Sequence, residues 1–135
     1  MKIVIVYDST YGNTESIAKA IGDGAAGDVM VIRAGQANST GLGQVELLIV
    51  GSPTLGGRPS EPVKGFLERL PESSVKGIKV ASFDTRYESK FVKLFGFAAD
   101  RIAETLKTKG GVMCAPPEPF IVLGNEDAAT VNERA

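Results

Sequence analysis

Lys2-Ile3-Val4-Ile5-Val6-Tyr7 runs directly into Asp8-Ser9-Thr10-Tyr11-Gly12-Asn13-Thr14, and the junction of these two stretches decides how the rest of the chain is read. Residues 2–7 form a nearly unbroken β-branched run, the pattern of a strand buried on both faces of a parallel sheet. Beyond the junction Ile17, Ala18, Ala20, Ile21 and Ala25 recur at helical spacing, with Asn13 or Thr14 as the cap and Glu15 in the first turn. A strand followed by a helix is one βα unit. Its connection, however, carries more hydroxyl and amide groups than a reversal of direction needs.

A loop that leads into a helix N-terminus presents unpaired N–H groups and the positive end of the dipole, which together favour an anion. Ser9, Thr10, Asn13 and Thr14 add side chains able to donate to phosphate oxygens, and Gly12 lets the backbone approach closely. No lysine or arginine occurs between Lys2 and Lys19, and the GxxxxGK[ST] pattern is absent. A phosphate here is therefore expected to be neutralised by dipoles and hydrogen bonds rather than by a cation.

Working outward, residues 29–32 read as a second strand and residues 34–44 as a loop with at most one helical turn. Residues 45–50 form a third strand that enters Gly51-Ser52-Pro53-Thr54-Leu55-Gly56-Gly57-Arg58-Pro59. Ser60 then caps a helix with Val63, Phe66, Leu67 and Leu70 on one stripe, Pro62 being tolerated in its first turn. Residues 78–83 read as a fourth strand and residues 84–95 as a long connection, of the kind that tends to be functional. Ala98, Ile102, Ala103 and Leu106 mark the next helix, ended by Gly110-Gly111. Pro116-Pro117 divides the fifth strand into residues 112–115 and 120–123, and proline in the ladder places it at an edge.

This alternation predicts a single α/β domain over residues 1–135, a doubly wound five-stranded parallel sheet in the order 2-1-3-4-5. Residues 125–135 leave room only for a short or truncated last helix. Two turns would leave apolar sheet partly bare, at about 25 cal/mol per Å², so the sequence predicts a homodimer or a piece of a longer polypeptide.

Ser9-Thr10-Tyr11-Gly12-Asn13-Thr14-Glu15 resembles the phosphate-binding loop of flavodoxins, and Gly51-Ser52-Pro53-Thr54 resembles their second flavin loop. The resemblance covers nearly the whole chain and implies bound FMN. It implies that Ser9, Thr10, Tyr11, Gly12, Asn13 and Thr14 hold the phosphate. Pro53, Thr54, Leu55, Gly56, Gly57 and Arg58 would line one face of the ring, and Asp84, Thr85, Arg86 and Tyr87 its other edge or face. Three positions depart from the family pattern: an aromatic Tyr11, an aliphatic Leu55, and a third loop without the usual glycines, leaving Tyr87 as the nearby aromatic. Near the implied ring Arg58, Arg86, Lys90 and Lys93 stand against Asp84 and Glu88, which predicts a potential less negative than in flavodoxins with acidic surroundings.

Composition narrows the chemistry. The chain has no histidine, which excludes a Ser-His-Asp triad, a Cys-His pair and a histidine-bound metal. Its single cysteine, Cys114, allows no internal disulfide and reads as a small core thiol in an apolar run. Any redox chemistry would come from a borrowed cofactor. A net charge of -1 with interspersed signs gives no footprint for nucleic acid and no polybasic segment for a membrane. The opening run is too short for a signal peptide, so the protein reads as cytoplasmic. The resemblance implies an electron carrier acting between redox partner proteins. The alternatives are an FMN-dependent NAD(P)H:quinone reductase, sharing the first loop, and a degenerate flavin-free interaction module. A phosphoacceptor receiver domain is rejected, because it needs an aspartate where Gly51-Ser52 stands and a lysine near Pro116-Pro117.

Overall fold

The computed structural model describes residues 1–10, 12–37, 45–55, 57–71, 75–87 and 97–122. Its elements are β1 (Lys2–Tyr7), α1 (Asn13–Gly24), β2 (Asp28–Arg33), a 3₁₀ turn (Ala34–Gln36), β3 (Leu47–Pro53), α2 (Glu61–Arg69), β4 (Lys79–Tyr87), α3 (Ala98–Thr108), β5 (Val112–Met113) and β6 (Glu118–Val122). The expected last helix over residues 125–135, and residues 88–96 of the third connection, lie outside the described residues.

All strands pair in parallel, in the order β2-β1-β3-β4, and β4 then takes two partners along one edge. β5 pairs with its start at Lys79 and Val80, and β6 with its end from Phe83 to Tyr87. The two pieces fill one strand position, so the divided fifth strand is as the prolines predicted: Pro116, Pro117 and Pro119 have no N–H to donate to a ladder.

The period-two alternation of β1 sends its side chains to two separate cores. Ile3, Ile5 and Tyr7 pack with Ile17 and Ala18 of α1 and with Phe83. Val4 and Val6 face the other way, into a cluster with Val50, Phe66 of α2 and Ile102 and Leu106 of α3. Helices on both faces force both sides of the central strands to be apolar. α2 and α3 are also tied end to end, because the Lys109 ammonium donates to the carbonyls of Leu67 (2.7 Å) and Leu70 at the negative end of α2.

Two strands run further than the sequence suggested. β3 extends to Pro53 and β4 to Tyr87, in register up to Pro53 opposite Thr85. Asp84 to Tyr87 are therefore strand and not the start of a loop. Their polarity hides this, since Thr85 is buried toward α1 while Asp84 is buried toward α3, each with a polar partner there. Cys114 is exposed rather than a core thiol, because it follows the two-residue β5 at the sheet edge. Among the described residues no helix is long and apolar enough to cross a membrane.

Gly51 is fixed by a neighbour. A Cβ there would lie 2.0 Å from Cζ of Phe83, whose ring covers the glycine and meets Phe120 edge-on at 6.0 Å between centroids. Gly51→Ala is therefore expected to cost about 1–3 kcal/mol of overpacking. Urea unfolding should show that loss, and a smaller one when the substitution is made in a Phe83→Leu background; equal losses in both backgrounds would mean that the ring yields.

Candidate functional site

The connections after β1 and β3 and the end of β4 meet at the carboxyl end of the sheet, where the order reverses between β1 and β3. In the first of them the N-cap of α1 is Gly12, at φ 91°, rather than Asn13 or Thr14. That left-handed turn is cheap for glycine, and it draws Asn13 and Thr14 into the first helical turn, where both are buried. Ser9 Oγ accepts the Gly12 N–H at 2.9 Å, leaving the hydroxyl proton of Ser9 to donate elsewhere. The hydroxyls of Thr14 and Thr85 are 2.8 Å apart, a buried bond joining α1 to β4. Thr10 is exposed at the rim, and Tyr11 lies outside the described residues.

The observation that points to a ligand is Asn13. Its side chain is buried, yet Oδ1 has no hydrogen-bond partner among the described residues. Leaving a buried polar atom unpaired costs about 1–3 kcal/mol. A 180° turn of the amide would present Nδ2 in place of Oδ1, so this position can donate to an anion held by the amides of α1. Ser9, Asn13, Thr14 and the helix end thus form a donor set that fits a phosphate.

A cation does reach the loop, from an element the first-loop sequence does not contain. Arg33 ends β2 beside Tyr7 of β1, and its guanidinium lies over the Tyr7 ring, 5.4 Å from the centroid. From there it donates to the Ser9 carbonyl (3.4 Å) and to Glu15 Oε2 (3.1 Å), with Asp8 Oδ1 3.8 Å away. Glu15 also accepts the Tyr7 hydroxyl at 2.8 Å. That hydrogen bond, aided by Lys19 and Arg33 against partial burial, holds the Glu15 carboxyl below the usual range. Burial first, then Glu15, pushes the Tyr7 phenol up.

The second connection is a closed turn. Leu55 and Arg58 exchange backbone hydrogen bonds, Leu55 N to Arg58 O at 2.8 Å and the reverse at 3.1 Å, with Gly57 at φ 82°. Ser52 pins its base: the hydroxyl donates to the Pro53 carbonyl and accepts the Ser60 N–H, both at 2.8 Å. Ser60 holds the N-cap position of α2, but its buried hydroxyl makes no cap hydrogen bond and has no partner among the described residues. Leu55 is half exposed, presenting an aliphatic surface at the rim, and Gly56 lies outside the described residues.

The third group divides. Thr85 faces the first loop through Thr14. Asp84 and Arg86 face α3: Arg86 makes a two-pronged contact with the Asp84 carboxylate (2.8 and 2.6 Å), and Asp84 also accepts the Ala99 N–H at 2.9 Å. Arg86 stacks on Phe97, 3.3 Å from the ring centroid. Arg86 is thereby neutralised, which removes it from the positive balance expected around the ring. Lys90, Lys93 and Glu88, and the side chain of Tyr87, lie outside the described residues. A groove of about 910 Å³ between α3 and the end of β5 holds none of the first- or second-loop residues and no orphaned buried polar atom.

Sequence reasoning missed Arg33 and the inward turn of Asp84. The signal for Arg33 was available, since parallel neighbours β1 and β2 end at the same level. The lowered carboxyl of Glu15 contributes stability that is present above the ordinary carboxylate pKa and is lost as pH falls through the folded value. Tyr7→Phe is therefore expected to cost about 1 kcal/mol near pH 7, and urea unfolding should show that gap narrowing between about pH 5 and 3. A gap that stays constant with pH would remove the Tyr7–Glu15 bond as its origin.

The sequence profile of the flavodoxin family matches residues 5–134. The chain is 30% identical over 112 residues to a flavodoxin of a Nostoc species, and 32% identical over 113 residues to one of a Synechocystis species. Each alignment covers 82% of this chain and 66% of the relative, so the chain spans just under two thirds of the length of these curated relatives. Among solved structures it superposes on a flavodoxin from the domain Archaea with a TM-score of 0.79 and 28% identity, covering 98% of this chain and 92% of that one. It also shares its fold, at 21% identity and a TM-score of 0.74, with 33% of the longer rubredoxin:oxygen oxidoreductase of Desulfovibrio gigas. The strand order, the loop built on Gly12 and the profile match agree: the chain belongs to the flavodoxin family.

Proposed function

We propose that this chain binds FMN noncovalently and carries electrons between redox partner proteins, as a single flavodoxin-like domain acting in the cytoplasm. The observation that carries the reading is the first loop: open amides at the start of α1, flanked by Ser9 and Thr14, with the buried Oδ1 of Asn13 unpartnered. When bound, the flavin supplies the electron chemistry, and the protein supplies binding and orientation.

Ser9, Thr10, Gly12, Asn13 and Thr14 hold the phosphate, and Tyr11 adds its amide by sequence. If Thr85 donates to Thr14, the Thr14 proton is free for a phosphate oxygen. The turn from Pro53 to Arg58, with Gly56 and Gly57 at its centre, offers the exposed Leu55 to one face of the ring. Thr85 and Tyr87 flank the other edge, while Asp84 and Arg86 brace that strand end from behind. Leu55 replaces aromatic stacking by aliphatic contact, so ring affinity is lower and the phosphate carries a larger share of binding. A homodimer covering the sheet face opposite α2 and α3 is part of this reading, and size measurement in solution checks it.

Absorbance of the purified protein, before adding FMN and again after excess FMN has been removed by gel filtration, tests the assignment directly: a flavin spectrum is expected, and a protein that retains no flavin is a flavin-free module. Steady turnover of NADH with a quinone would instead favour the reductase. Thr14→Val is expected to weaken FMN about tenfold, or 1.4 kcal/mol, and to leave riboflavin, which lacks the phosphate, unchanged. Equal losses for both flavins, read by quenching of flavin fluorescence, would remove the phosphate from this loop.

A further inference from the structure

Glu15 is the third residue of α1, counting Asn13 as the first. A glutamate at that position commonly folds back to accept the N-cap N–H, closing a capping box over the helix end. Here the box is open. The Gly12 N–H goes to Ser9 Oγ instead, and Glu15 is turned outward, with Oε2 on the Tyr7 hydroxyl and on Arg33 and with Oε1 3.7 Å from Lys19.

This outward turn has a consequence for anion binding. A carboxylate is itself favoured at a helix N-terminus, so an unrestrained Glu15 competes for the amides that a phosphate would use and repels the dianion from close range. Two groups from neighbouring strands prevent this: Tyr7 at the end of β1, buried, and Arg33 at the end of β2, braced against the Tyr7 ring. Lys19 is too exposed to hold the carboxylate alone. A second observation lies in the same helical turn: Asn13 is only 8% exposed and its Oδ1 has no partner among the described residues, and with the amide turned by 180° its Nδ2 would donate to an anion there.

We infer that Tyr7 and Arg33 are positioning residues that hold Glu15 away from the first amides of α1, so that the phosphate of FMN meets an open helix end. The inference rests on the FMN reading above. It assigns to Arg33 an indirect role: its effect on phosphate passes through Glu15, so removing the Glu15 charge should make Arg33 dispensable.

The test is a set of dissociation constants for FMN and riboflavin, read by fluorescence quenching, for wild type, Arg33→Gln, Glu15→Gln and the double variant. Arg33→Gln is expected to weaken FMN about tenfold with riboflavin unchanged, Glu15→Gln to bind FMN at least as tightly as wild type, and the double variant to fall within about twofold of Glu15→Gln. Tyr7→Phe, alone and with Glu15→Gln, gives the same comparison by deleting a single oxygen, and circular dichroism confirms that each variant is folded. A double variant as weak as Arg33→Gln would mean that Arg33 acts on the phosphate or the loop directly, and would overturn the inference. So would an Arg33→Gln protein that binds FMN like wild type. Wild type that takes up no FMN would instead overturn the function reading and this inference together.

Discussion

The backbone at Gly12 turns left-handed at the last residue of the connection from β1 to α1, and the rest of the site depends on that turn. An L-residue pays roughly 1–2 kcal/mol for this conformation, which glycine avoids. The turn starts α1 immediately, so the helix amides open at the level where β1 and β3 part in opposite directions. A parallel sheet brings every strand's carboxyl end to that same level. The donors of the first loop, the closed turn after β3 and the end of β4 are neighbours for this reason, although Ser9, Thr54 and Thr85 are far apart in sequence.

The strand ends also answer a polar requirement elsewhere. α3 starts at Phe97, which has no side-chain cap of its own. Its first N–H groups are satisfied from other elements instead: Ala98 donates to Thr54 Oγ1 at 3.2 Å and Ala99 to the Asp84 carboxylate. Thr54 is held in turn by its own N–H on the Thr85 carbonyl at 2.8 Å. A fully buried carboxylate is tolerated only when paired and hydrogen-bonded, and Asp84 has both Arg86 and a helix amide. Polar residues at these strand ends thus cap a helix and fasten two of the site's connections to it.

This explains what was legible in the sequence and what was not. The β-branched runs and the 3.6-residue stripes gave the strand order and the three described helices, because both patterns are local. Pro116-Pro117 located the edge for the same reason. The ends of β3 and β4 were misjudged, since Asp84-Thr85-Arg86 is polar and only tertiary partners reveal that it is buried strand. Arg33 is legible only through a non-local step: its role comes from pairing between β1 and β2, which puts it level with Tyr7. The candidate phosphate donors were readable because they are contiguous; the residues that hold them in place are not.

Pairing also decides which charges matter at the strand ends. Arg33 lies among Asp8 and Glu15, and Arg86 is matched by Asp84, so both guanidinium groups are largely spent on carboxylates of this chain. Counting signs along the sequence overstates their effect on a neighbouring ligand. What remains unopposed is the partial positive charge of α1, delivered by oriented amides that need no reorganisation when an anion arrives. A helix end does not titrate near neutral pH. Its hold on phosphate therefore varies with the phosphate's own second ionisation, at a pKa of about 6, and with the groups able to shield it; the carboxylate closest to it along the chain, Glu15, is turned away by Tyr7 and Arg33.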